Sequence, residues 1–182
     1  MQRTLLALAL SLAGTSAFAT TGTINFEGKI TSSTCPIEVV NPEDGAIGNQ
    51  VKMGSVDAGR FTAPGQELKG KSFVLRVKDS SGCGSSTDEA VVTFNGTADP
   101  SGKYFSVGPD SDSSVAKGVA ISIRDKSGNS IDPGSDSVPY DLNVTGPTDM
   151  LFNAYYRRIA AAGGTVEAGT ASADVQFVVA IN

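Results

Sequence analysis

The sequence predicts an all-β fold, a β-sandwich, on three observations. Apolar and polar residues alternate with period two in one segment after another. Turn-forming clusters separate those segments. No stretch sustains the apolar period of 3.6 residues that marks a helix. Among the 182 residues there are 21 Gly and 8 Pro, with 40% hydrophobic and 18% charged. That balance lies outside the disordered and membrane-bundle ranges.

The chain opens with Met1-Gln2-Arg3, runs through an apolar stretch from Leu5 to Leu12 and reaches Ala17-Phe18-Ala19. A positive start, a short apolar centre and small residues before the cleavage point mark a secretory signal peptide over residues 1–19. The stretch is short for a membrane span. The mature chain is expected to begin at Thr20. The 182 residues less these 19 leave 163, enough for one domain with a real core.

The strand signals follow in order. Ile24, Phe26 and Ile30 alternate with Asn25, Glu27 and Lys29. Phe73, Leu75 and Val77 alternate with Val74, Arg76 and Lys78, and Val92 and Phe94 keep the same rhythm. Val119, Ile121 and Ile123 alternate with Ala120, Ser122 and Arg124. Met150, Phe152, Ala154 and Tyr156 alternate with Leu151, Asn153 and Tyr155. Val175, Phe177, Val179 and Ile181 alternate with Gln176, Val178 and Ala180. One apolar face per strand is the pattern of antiparallel sheets buried on one side. The only helix candidate, Tyr155 to Ala162, has an alternating lead-in that favours a strand first. Turns are expected at 41–45, 79–82, 99–102, 125–129 and 132–134, each rich in Asp, Asn, Pro, Ser and Gly.

Charge and composition remove whole classes of function. The net charge is −5, and loss of the leader with its Arg3 makes it −6. No basic face for nucleic acid is present. The chain has no His, so His-based triads, metal sites and pH switches are excluded. The absence of Trp removes the strongest sugar-stacking side chain. Asp110, Asp112 and the run Asp125 to Asn129 lack the full ligand spacing of a calcium loop and read as turns. The adjacent carboxylates Asp88 and Glu89 have no sign of a catalytic cleft. The sequons at Asn95 and Asn143 read as ordinary turn or strand residues. Tyr155-Tyr156-Arg157-Arg158 reads as a sheet-edge cluster, with a small contact patch as the alternative. No cofactor and no metal are expected.

Cys35 and Cys83 lie 48 residues apart. In an exported chain two cysteines most often pair. Closing that loop stabilises a fold by roughly 4 kcal/mol on the loop-entropy model. A reactive thiol would lack both a CxxC spacing and a His partner.

Both ends of the mature chain are strands. Gly22, Ile24, Phe26, Gly28 and Ile30 share one face at the start, and the Val175–Ile181 alternation precedes Asn182. An apolar strand at a free end invites pairing with another chain. Either both strands pair inside the same sandwich, or one adds to a neighbouring molecule.

The blocks of this chain, in order, resemble the pilins of chaperone–usher fimbriae of the type 1 family. They are Gly22 to Ile30 followed by Cys35-Pro36-Ile37, and Val51 to Val56 followed by Phe61. Next come Phe73, Leu75, Val77 and Cys83, then Val92 to Gly96 with Asp99, and Gly118 to Asp125 with Gly128. Phe152, Ala154 and Tyr156, the Ala162-Gly163 run and Phe177 to Val179 complete the series. The resemblance spans the mature chain.

It implies an incomplete immunoglobulin-like Greek-key β-sandwich that lacks its last strand, with residues 20–31 as a donor strand and 32–182 as the pilin domain. On that reading Ile24, Phe26 and Ile30 fill pockets in a neighbouring subunit, and Gly22 and Gly28 sit where its backbone approaches. Val175, Phe177, Val179 and Ile181 form the chaperone-binding face and part of the acceptor groove. The implied partners are a periplasmic pilus chaperone, an outer-membrane usher and neighbouring pilin subunits. The implied destination, through the periplasm, is the fimbrium at the cell surface, where the chain supports adhesion and catalyses nothing. One departure stands out: Ile181 occupies the next-to-last position where the family usually has Tyr. The alternatives are a minor or adaptor subunit, a lectin-like adhesin, for which 163 residues leave no second domain, and a secreted hydrolase working with carboxylates alone.

Overall fold

A computed structural model describes residues 36–78, 89–109, 111–143 and 145–181 of the chain. Among these residues it has nine strands: β1 (Ile37–Val40), β2 (Glu67–Val77), β3 (Glu89–Gly96), β4 (Phe105–Ser106), β5 (Val119–Arg124), β6 (Ser130–Ile131), β7 (Tyr140–Asp141), β8 (Thr148–Arg158) and β9 (Val175–Ile181). One short 3-10 turn covers Ala58–Arg60. The leader 1–19, the donor segment 20–31, Cys35, Cys83, Asp88, Asp110 and the turn at 79–82 lie outside the described residues.

The strands form two antiparallel sheets. The first has the order β1-β2-β8-β5-β4, with β6 also on β5; the second has the order β7-β3-β9. Inside the first sheet Phe73 lies opposite Phe152, Leu75 opposite Met150, and Ile121 opposite Tyr156. Paired residues share a face, so the period-two rows of β2, β5 and β8 meet on one side of the sheet and form the core. Phe94 from β3 closes against them, with its ring edge-on to Phe73 at 6.0 Å and to Phe152 at 5.0 Å. Tyr140 from β7 packs on Phe152 at 5.2 Å.

These ring contacts fix how the sheets overlie. β7 sits over β8, and β3 over β8 and β2. Strand order then carries β9 to the β2–β1 side of the sandwich.

The structure adds to the sequence expectations at several points. β2 begins at Glu67, upstream of the alternating run, and crosses a bulge between Leu68 and Lys71. Lys69 takes φ 56° there, and the ring of Tyr155 lies where a side chain on Gly70 would stand. The segment Tyr155 to Ala162 is strand through Arg158 and then a turn at Gly163, with no helix. The Asp125 carboxylate accepts from the backbone N–H of Ser127 and Asn129, and Asp112 from that of Ser114, so both serve as turn residues. Of the Tyr155–Arg158 cluster, Tyr156 and Arg158 point into the sandwich, and Tyr155 and Arg157 lie on the outer face.

Candidate functional site: the uncovered edge of β9

Strand β9 pairs with β3 over seven residue pairs, from Ala90 opposite Ile181 to Gly96 opposite Val175. No described strand pairs with its other edge. The effect on burial is asymmetric. Ala90, Val92 and Phe94, the inward row of β3, are fully buried. Val175, Phe177, Val179 and Ile181, the inward row of β9 on the same sheet face, are only half-buried.

Incomplete burial is concentrated on one side of the sandwich. At the opposite edges Tyr140, Phe105 and Ile131 are all buried. On the β1–β9 side Ile37, Val39, Val51 and Val56 pack against the core but keep part of their surface exposed, as do Ala171 and Ala173 ahead of β9. A cavity of about 470 Å³ opens beside β1, lined by Val39, Val51, Lys71, Phe73 and the 41–50 hairpin.

Backbone contacts hold the chain that leads into β9. The Tyr156 hydroxyl shares its one proton between the carbonyls of Gly54 (3.2 Å) and Ala171 (3.3 Å), joining the 51–56 segment to the 171–174 segment at the end of β8. Burial pushes the Tyr156 phenol up, so it stays a donor. Residues 165–170 lie against 114–117 through Ala116 N–H to the Thr170 carbonyl (2.9 Å) and Thr170 N–H to the Ser114 carbonyl (2.8 Å). Gly169 is required at this approach, because a Cβ there would overlap the backbone of Val115 and Ala116.

β9 carries no titratable group. Chemically the edge offers an apolar inward row and a line of backbone N–H and C=O groups that no described strand pairs. It fits an extended segment with an apolar side chain at every second residue, and each large side chain seated there is worth about 1.5–3 kcal/mol.

The four groove residues expected from the sequence, Val175, Phe177, Val179 and Ile181, stand together on this inward row. Gly22, Ile24, Phe26, Gly28 and Ile30 lie outside the described residues. Sequence reasoning missed Ile37, Val39, Val51, Val56, Ala171 and Ala173. The two alanines had a signal, since they continue the β9 alternation upstream. The others sit in short or irregular segments with no period to read.

A family model described as "Fimbrial protein" matches residues 24–182. The chain is 30% identical to the probable major fimbrial subunit LpfA of Escherichia coli O157:H7, over 97% of this chain and 95% of that one. A solved Burkholderia pseudomallei antigen and type I fimbria protein is 29% identical, with a TM-score of 0.58 over 88% of this chain and 97% of that one. A chaperone–usher pilus solved for the basis of rod uncoiling matches at TM-score 0.62 and 16% identity, over 93% of this chain and all of that one. The sandwich is thus the immunoglobulin-like fold of chaperone–usher pilins.

Proposed function

This chain belongs to the fimbrial protein family, and from that premise we propose that it is a structural subunit of a chaperone–usher fimbria that polymerises by donor-strand exchange. One observation carries the reading: the inward row of β9 is half-exposed beside a fully buried row on β3. A missing neighbour strand accounts for that difference. A periplasmic chaperone occupies the edge first, and residues 20–31 of the next subunit replace it. Ile24, Phe26 and Ile30 seat along Val175, Phe177, Val179 and Ile181. The role is mechanical rather than catalytic, and the fibre supports adhesion at the cell surface. Export follows from the leader 1–19, and a Cys35–Cys83 disulfide secures the start of the domain.

The test is Phe26→Asp in the full exported chain. Chaperone capture is expected to persist while polymer, read as a ladder on unheated denaturing gels, disappears. Normal polymer from the variant would overturn the donor assignment, and loss of both properties would mean a folding defect instead.

A further inference from the structure

The open side of the sandwich has two walls. One is the edge of β9. The other is the segment 47–56, where Val51 is half-buried, Met53 is buried and Lys52 between them is exposed. Among the described residues no backbone hydrogen bond joins 51–56 to a strand; the Gly54 carbonyl accepts from the Tyr156 side chain. An extended segment entering between the walls has backbone groups to bond on both sides.

The walls differ in charge. β9 carries none. Between Ile47 and Val56 the single charged residue is Lys52. No carboxylate among the described residues forms an ion pair with it. Lys69, on the β2 bulge, adds to the same sign, with its ammonium 3.9 Å from where a Cβ on Gly54 would stand. Lys71, further along β2, is already held by Glu43 at 2.8 Å.

Ring contacts assign a level along the groove. Phe177 pairs with Phe94, and the Phe94 ring meets Phe73 at 6.0 Å. Phe73 and Val51 line the cavity of about 470 Å³, so the cavity stands level with Phe177. Within residues 20–31, Phe26 is the largest residue of the apolar face and the only aromatic. Glu27 follows it and is the segment's only acid, just as Lys52 follows Val51. Alternation turns Glu27 and Lys52 to the outside of the sandwich when Phe26 and Val51 face in. Lys29, the segment's only cation, falls about 7 Å further along an extended strand.

We propose that Phe26 of an incoming subunit takes this cavity and that Glu27 beside it forms an ion pair with Lys52, which selects the donor segment and sets its register. The inference rests on the assembly reading above and adds the partner of one acceptor residue. The pair stands at the rim of the groove, so it acts on the rate of capture and its salt dependence more than on the stability of finished polymer.

The experiment times ladder formation from the full-length exported chain, purified unassembled, for the wild type, Glu27→Lys, Lys52→Glu and the double variant, at low and high salt. Each single reversal sets like charges together and is expected to slow the ladder several-fold at low salt. The double variant is expected to regain most of the wild-type rate, because it restores the pair with its signs exchanged. High salt is expected to bring the four rates together. Urea midpoints identify a folding defect, in which case Glu27→Gln and Lys52→Gln carry the comparison, each expected to reduce the salt dependence. Single variants at the wild-type rate, or a double variant as slow as the two losses combined, overturn this pair alone. Absence of a ladder from the wild type would overturn the assembly reading, and this pair with it.

Discussion

The Tyr140 hydroxyl donates to the Leu151 carbonyl at 2.7 Å, a hydrogen bond that ties β7 of one sheet to β8 of the other. The same oxygen accepts from the Lys126 N–H at 3.1 Å, and the Lys126 ammonium lies 4.8 Å from the ring centre. Tyr140→Phe removes both hydrogen bonds and is expected to cost about 1–2 kcal/mol, read from the urea midpoint.

The same bond has an alkaline signature. Burial pushes the Tyr140 phenol from 10.0 up to about 12, so the folded state holds its proton more tightly than the unfolded chain. Its contribution is whole below the ordinary value and is lost as pH rises through the folded one. Stability of the wild type relative to Tyr140→Phe is therefore expected to decline between about pH 10 and 12. A constant difference across that window would contradict the assignment.

Glu67 on the outer face of β2 receives Arg124 at 3.0 and 3.1 Å and Arg157 at 3.0 Å. Burial works to raise its carboxyl, but the hydrogen bonds from Arg124, Arg157 and Ser122 outweigh it and hold the group below its ordinary 4.5. A lowered carboxyl stabilises the fold above its unfolded value and stops doing so as pH falls through the folded one. Glu67→Gln is expected to cost roughly 1 kcal/mol at neutral pH and to narrow the gap between urea midpoints at pH 7 and pH 3.

Gly169→Ala puts a methyl group into the backbone of Val115 and Ala116. Overpacking of this kind costs about 1–3 kcal/mol. Gly48→Ala meets nothing within 4 Å and serves as the control. The two variants are expected to separate clearly in thermal unfolding, and equal midpoints would remove the role given to Gly169.

Phe177 and Val178 are neighbours on opposite faces of β9. Phe177→Asp is expected to lower chaperone capture and polymer yield about tenfold or more, because the lost burial is worth about 1.5–3 kcal/mol. Val178→Asp is expected to spare both. Co-purification with the chaperone and the unheated gel ladder read the difference, and equal loss from the two would mean that the inward row is not the binding face.

The sequence by itself determined which residues of the long strands face inward. Phe73, Leu75 and Val77, then Met150, Phe152, Ala154 and Tyr156, are buried as their alternation requires, because burial on one side of a pleated strand selects every second residue. It also placed the turns at 99–102 and 125–129, where Asp side chains bind nearby backbone N–H groups.

Tertiary structure alone decided the rest. β4, β6 and β7 have two residues each and exist only because neighbouring strands receive them. Val74 belongs to the outward row of β2 and is nonetheless buried beside Val40. Arg158 falls on the inward row of β8 at 6% exposure, where the carbonyl of Gly164 accepts from its guanidinium at 2.7 Å. The edge of β9 belongs in the same group. Val175, Phe177, Val179 and Ile181 alternate just as Phe73, Leu75 and Val77 do, yet one row is buried and the other only half-buried. Periodicity reports the two faces of a strand. What lies along its edges is set by which strands pair beside it, and that is a property of the assembled sheets.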